Sequence, residues 1–112
     1  MIAVILEIYP TDSGKEAFTA LAERLLVMIS GHRGLVSIER FQSMMDEHKL
    51  LSLSFWLTRE DVQHWHRHLQ KELSQDPAAK ALIRHYRLRT ALVERDHAGD
   101  HRQIDAYFDH LA

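Results

Sequence analysis

The chain has 112 residues, 46% hydrophobic and 27% charged, with a formal net charge of -2, which is the size and balance of one globular domain able to bury its own core. It has no cysteine, which excludes a disulfide framework, a thiol nucleophile and cysteine-ligated zinc. So small a net charge excludes the strong positive field that draws proteins to nucleic acid or to an anionic membrane.

The opening run MIAVILEIYP is apolar but short, lacks a basic leader and a small-residue cleavage site, and is interrupted by Glu7. It reads as a strand rather than a signal peptide or a spanning helix, so the cytoplasm is the expected location. Ile2, Val4, Leu6 and Ile8 form one face; Ala3, Ile5, Glu7 and Tyr9 form the other. Both faces are largely apolar, as in a strand covered on both sides. Thr11 to Lys15 supplies caps for a helix to about Ser30, with Phe18, Leu21, Ala22, Leu25, Met28 and Ile29 at helical spacing. Gly31–His32–Arg33–Gly34 is a turn without the spacing of a phosphate loop.

Leu35 to Gln42 predicts a second strand. Ser43 to His48 is a polar connection, with Met44 and Met45 expected to pack beneath it. Lys49 to Trp65 changes period. Leu51, Leu53 and Phe55 alternate with Ser52, Ser54 and Trp56, which predicts a strand with one apolar face and one small, partly polar face. Thr58 then caps a helix whose first turn holds Glu60 and Asp61, with Val62 and Trp65 on its apolar stripe. Asp76 and Pro77 restart a helical piece through Arg84. Tyr86 to Arg95 alternates again and predicts a fourth strand. Residues 1–95 are expected to be the domain. Residues 96–112 form a tail that opens with a turn and closes with a short helix carrying Ile104, Tyr107, Phe108 and Leu111, packed on the domain or on a partner protomer.

The order β-α-β-β-α-β is α+β, the ferredoxin-like split βαβ arrangement: a four-stranded antiparallel sheet with two helices on one face. Two helices leave the second apolar face bare, so a homodimer packed sheet on sheet is expected.

His66 and His68 lie two apart on a helix and point apart, so they are not a ligand pair; His97 and His101 flank Gly99, which favours a turn over a metal site. No Gly-x-Ser-x-Gly elbow, P-loop or dinucleotide fingerprint is present. Arg84, Arg87, Arg89 and Arg95 are expected to pair with Glu39 and its neighbours. Trp56, Trp65, Tyr86 and Phe41 either surround an apolar cavity between sheet and helices or simply fill the core.

The apolar first strand, SIERFQS at Ser37 to Ser43, KLLSLSFW at Lys49 to Trp56, Trp65 in the following helix and YRLR at Tyr86 to Arg89 resemble the antibiotic biosynthesis monooxygenase domain family of the dimeric α+β barrel superfamily. The resemblance spans Ile2 to about Arg95. It implies a dimeric barrel and, from characterised members, oxygenation of aromatic molecules with no metal or flavin cofactor. Haem-degrading relatives use a first-strand asparagine, a helix tryptophan and a histidine ligand. Here Glu7 replaces the asparagine and Gln75 stands near the histidine position, so only Trp65 fits. The resulting expectation is a cytoplasmic homodimer that oxygenates a small aromatic or quinol-type ligand without a cofactor. Trp56, Trp65 and Phe41 would bind it. Glu7, its pKa raised by burial, would be the base, and Tyr86 or His85 would orient the developing oxyanion. The alternative expectation is a non-catalytic binding or stress-related module; haem handling ranks below both.

Overall fold

The computed structural model describes residues 1–12 and 15–104. β1 (Ile2–Pro10), α1 (Lys15–Ser30), β2 (Leu35–Gln42), β3 (Leu50–Trp56), α2 (Arg59–Ser74), the one-turn α3 (Pro77–Lys80) and β4 (Ile83–Leu92) follow in chain order. The strands form a single antiparallel sheet in the order β2-β3-β1-β4. This is the ferredoxin-like α+β arrangement that the alternation of strand and helix patterns predicts.

Residues directly opposite in an antiparallel pair share a face, and each step along a strand changes face. The register therefore draws rows across the sheet. Leu35, Trp56, Ile2 and Leu92 form one; Ile38, Ser54, Val4 and Thr90 the next; Arg40, Ser52, Leu6 and Leu88 a third; Gln42, Leu50, Ile8 and Tyr86 a fourth. These rows are the helix-covered face. The other face carries Ala3, Ile5, Glu7 and Tyr9 of β1, Leu51, Leu53 and Phe55 of β3, Glu39 and Phe41 of β2, and His85, Arg87 and Arg89 of β4.

The packed core lies at the first row. Trp56 is fully buried among Ile2, Val4, Ile29, Val62 and Trp65, with Leu26, Met28, Leu35, Ile38 and Leu69 around them. Its indole nitrogen donates to Ser54 Oγ at 2.9 Å, so the buried N–H is satisfied from the same strand face. Tryptophan burial on this scale contributes several kcal/mol, about 3–5 on removal.

α2 begins at a built junction. Thr58 has extended backbone, and its hydroxyl accepts from the Asp61 backbone N–H at 3.1 Å. The same hydroxyl donates to Asp61 Oδ2 at 2.8 Å, and Arg33 Nε donates to Oδ1 at 3.0 Å. Gly34 sits beside this carboxylate at φ 83°, and a Cβ there would overlap Asp61. Its carbonyl accepts from the Leu57 N–H at 2.9 Å. The turn after α1 is thus tied to the strand-to-helix corner that aims α2.

Three expectations are corrected. The helical piece after Asp76 is four residues, not eight: Ile83 pairs with Pro10 and His85 with Tyr9, so β4 starts early, and it ends at Leu92 rather than Arg95. Met44 and Met45 stand in solvent instead of packing. Ser43 Oγ accepts from the backbone N–H groups of Met45 and Asp46, and this local turn rolls both side chains outward. Arg89 pairs with Glu7 of β1, not with Glu39, because β4 and β2 occupy opposite edges of the sheet. The expected closing helix at Tyr107, Phe108 and Leu111, like the cap at Ser13 and Gly14, lies outside the described residues. No helix among the described residues is long and apolar enough to cross a membrane.

Candidate functional site

Beyond the Trp56 row the two layers part. A cavity of about 620 Å³ opens between the sheet and α1 and α2. The cause is legible in β3: where β1 presents Val4 and Leu6, β3 presents only Ser54 and Ser52. Two small side chains at the middle of the sheet leave a hollow next to the packed Trp56 row. Val4, Leu6 and Ile8 form its floor, and Phe18, Leu21 and Leu25 of α1 cover it. α2 contributes a stripe, Trp65, His66, Leu69, Gln70, Leu73 and Ser74, in pairs repeating every four residues as one helical face. The cavity is open over β4, where Tyr86 is 63% and Leu88 41% exposed. An apolar-walled hollow of this size with a few polar groups is the ordinary form of a small-molecule site.

The residues singled out in the sequence divide between the two faces. Trp65 and Tyr86 line the cavity. Trp56 is core behind its end wall rather than a wall itself. Glu7, His85 and Phe41 project from the other face of the sheet, because all three sit at odd register positions of that face. The expectation that Glu7 would be a desolvated base is corrected on both counts. Burial raises its pKa, but Lys49 at 3.5 Å and Arg89 at 3.2 Å outweigh that and hold the carboxyl below its usual range. His85 packs tilted against Tyr9 with ring centroids 5.4 Å apart, a ring also flanked by Lys49 and Arg84.

Sequence reasoning passed over His66. It was set aside together with His68, yet α2 separates the two. His66 turns into the cavity wall; His68 points to the Glu72 carboxylate at 3.9 Å and to the His32 ring at 5.8 Å. Burial pushes the pKa of His66 down, so it is neutral at neutral pH and its imidazole can accept a proton. The signal was the pairing of His66 with Gln70 and Ser74, a polar line beside the apolar line of Trp65, Leu69 and Leu73.

Behind the end wall, His32 packs its ring against Trp56, Trp65 and His64 at centroid distances of 5.9, 5.2 and 4.9 Å. Its Nδ1 is buried with no hydrogen-bond partner among the described residues. Burial first, and His64 second, lower its pKa. Among the described residues no three acidic or histidine side chains are arranged to hold a metal ion.

The family model described as "Antibiotic biosynthesis monooxygenase" matches residues 1–85. A jasmonate monooxygenase from Pyricularia oryzae is 26% identical over 93 residues, which are 83% of this chain and 43% of that protein. The chain thus spans less than half the length of that curated relative. Among solved structures, Rv0793 from Mycobacterium tuberculosis superposes with a TM-score of 0.70 at 21% identity, covering 88% of this chain and 98% of that one. SnoaB, a cofactor-independent oxygenase from Streptomyces nogalater, superposes with a TM-score of 0.70 at 10% identity, covering 85% and 94%. At these identities the two structures speak for the fold alone.

Proposed function

The chain belongs to the antibiotic biosynthesis monooxygenase family, and on that premise we propose that it oxygenates a small, electron-rich aromatic or quinol-type molecule held between its sheet and its helices. The observation that carries this reading is the cavity: about 620 Å³, walled by aliphatic side chains and Trp65, with His66, Gln70 and Tyr86 among its few polar groups. It is large enough for a two- or three-ring planar molecule and open at one side for entry.

In this reading the substrate itself supplies all four electrons that reduce dioxygen. A phenol or enol on it gives its proton to His66, which burial keeps neutral and ready to accept. The resulting electron-rich anion reacts with dioxygen at a ring carbon bearing hydrogen. One oxygen atom ends as a carbonyl on that carbon, the other leaves as water, and the two hydrogens come from the substrate, so no external reductant is consumed. Trp65 stacks on the ring, and the Tyr86 hydroxyl donates to the oxyanion. The family match and the monooxygenase name of the Pyricularia protein support the class of reaction. The open face of the sheet, with Ile5, Leu53, Phe55 and an exposed Phe41, suits a second copy of the chain packed sheet on sheet.

The test is oxygen uptake with a panel of hydroquinones, naphthohydroquinones and anthrones. Turnover is expected with at least one. Trp65→Ala and His66→Ala are expected to lower kcat/KM by about tenfold or more, in the usual range for losing a positioned wall or base. A panel that consumes no oxygen above the spontaneous rate would set the oxygenase reading aside and leave the cavity as a binding site.

A further inference from the structure

The carboxylates of Glu7, Asp61, Asp76 and Asp100 each meet an arginine. Arg40 and Lys80 line the cavity, and neither has an ion pair or side-chain hydrogen bond among the described residues. Among the described residues no aspartate or glutamate lines the cavity. A largely apolar hollow is thus bordered by two exposed cations at its rim, in a chain whose formal net charge is -2.

We propose that the ligand of this cavity is an amphipathic organic acid: an apolar body between sheet and helices, with one carboxylate or equivalent anionic group at Arg40. The proposal rests on the reading of the cavity as a ligand site, and it narrows the substrate class. Arg40 stands directly opposite Ser52 in the sheet register, on the cavity side, so a guanidinium fork and a hydroxyl converge at one edge of the opening. A guanidinium matches a carboxylate with two parallel hydrogen bonds. Lys80, at the end of α3, adds positive field from the cavity rim. Both side chains are exposed, so their attraction for an anion falls as salt screens it. A neutral ligand would leave both cations unused, and a cationic one would be repelled. A blander account exists: β2 is an edge strand, where a cation discourages strand pairing, and a lysine suits the last turn of a helix. That account predicts no preference among ligands.

The two are separated by calorimetric titration of the whole chain with 1-naphthoate and with 1-naphthamide at pH 7.5 in low salt. The acid is expected to bind about tenfold or more tightly than the amide. The preference is expected to shrink between 50 and 500 mM sodium chloride, and to vanish in Arg40→Gln while the amide affinity stays within about twofold. Equal binding of the two probes, a preference that survives in Arg40→Gln, or no binding of either would overturn the proposal. Acid preference without oxygen uptake by any tested quinol would strike the oxygenase reading alone. Uptake with neutral quinols and no acid preference would strike this one alone.

Discussion

On the helix-covered face of the sheet, Val4, Leu6, Ser52 and Ser54 border a hollow whose two cations have no acidic partner among the described residues. On the open face, one strand step away, a carboxylate, Glu7, stands opposite Leu51 and next to the Ile5–Leu53 pair, held by Lys49 and Arg89. Both faces are partly apolar and both carry charge. They differ in what completes them. On the open face the central carboxylate, Glu7, is paired, and the apolar side chains around it lack cover that a second copy of the chain can supply. The covered face already has its apolar cover but leaves volume and positive charge unmatched, which suits a small anion with a greasy body. In the proposed reading the same four strands would serve assembly on one side and binding on the other, with the hollow left by two serines in β3.

The largest effect should come from removing what separates packed end from hollow. Trp56→Ala is expected to cost about 3–5 kcal/mol, read as a drop in the urea midpoint. Phe41→Ser on the open face should leave that midpoint nearly unchanged and weaken self-association in sedimentation velocity. Next, Gly34→Ala should cost about 1–2 kcal/mol from the left-handed backbone alone, with more from displacing Asp61, and the near-ultraviolet signal of Trp65 should change because α2 loses its anchor.

Ser52→Leu sharpens the comparison in the opposite sense. The added side chain enters the hollow, so thermal stability should hold or rise while oxygen uptake, or naphthoate binding, falls about tenfold or more. A variant that fills this position and still binds the probe as the parent does would place the ligand elsewhere.

Acid should act on the covered side first. His32 and His66 have folded-state pKa values below the ordinary value of 6.5. The unfolded chain therefore binds their protons first as pH falls. Their contribution is complete above about pH 6.5 and is lost as pH drops below it through the folded-state values. Glu7, Asp61 and Asp76 are shifted down from carboxylate values and lose their contribution only at lower pH. Melting temperatures from pH 8 to pH 5 should fall below about pH 6.5, and His32→Phe, which keeps a ring against Trp56 and Trp65, should flatten that fall. The smallest effect should be Glu7→Gln, with oxygen uptake or probe binding within about twofold of the parent, because the cavity lies on the other side of the sheet.

The fold was legible because each local signal agrees with the next. The alternation in Ile2–Tyr9, the cap at Thr58, and Asp76 before Pro77 all appear where the pattern places them. The candidate site was only half legible. Trp65 and the small face at Ser52 and Ser54 point to the cavity, but period-two patterning does not say which face the helices cover. Glu7 drew attention as the one charge in an apolar strand, and only the register with Leu51 and Arg87, flanked by Lys49 and Arg89, reveals that it sits opposite the hollow. His66 was hidden by its neighbour His68, since a helix sends residues two apart in different directions and spacing alone does not tell which enters the cavity.

The account depends most on the helix-covered face being where the small molecule sits. Intermolecular nuclear Overhauser effects between 1-naphthoate and methyl-labelled protein read this directly. The account predicts contacts to the methyl groups of Leu6, Ile8, Leu69 and Leu73 and none to Ile5 or Leu53. Contacts to Ile5 and Leu53 without the first four would contradict it.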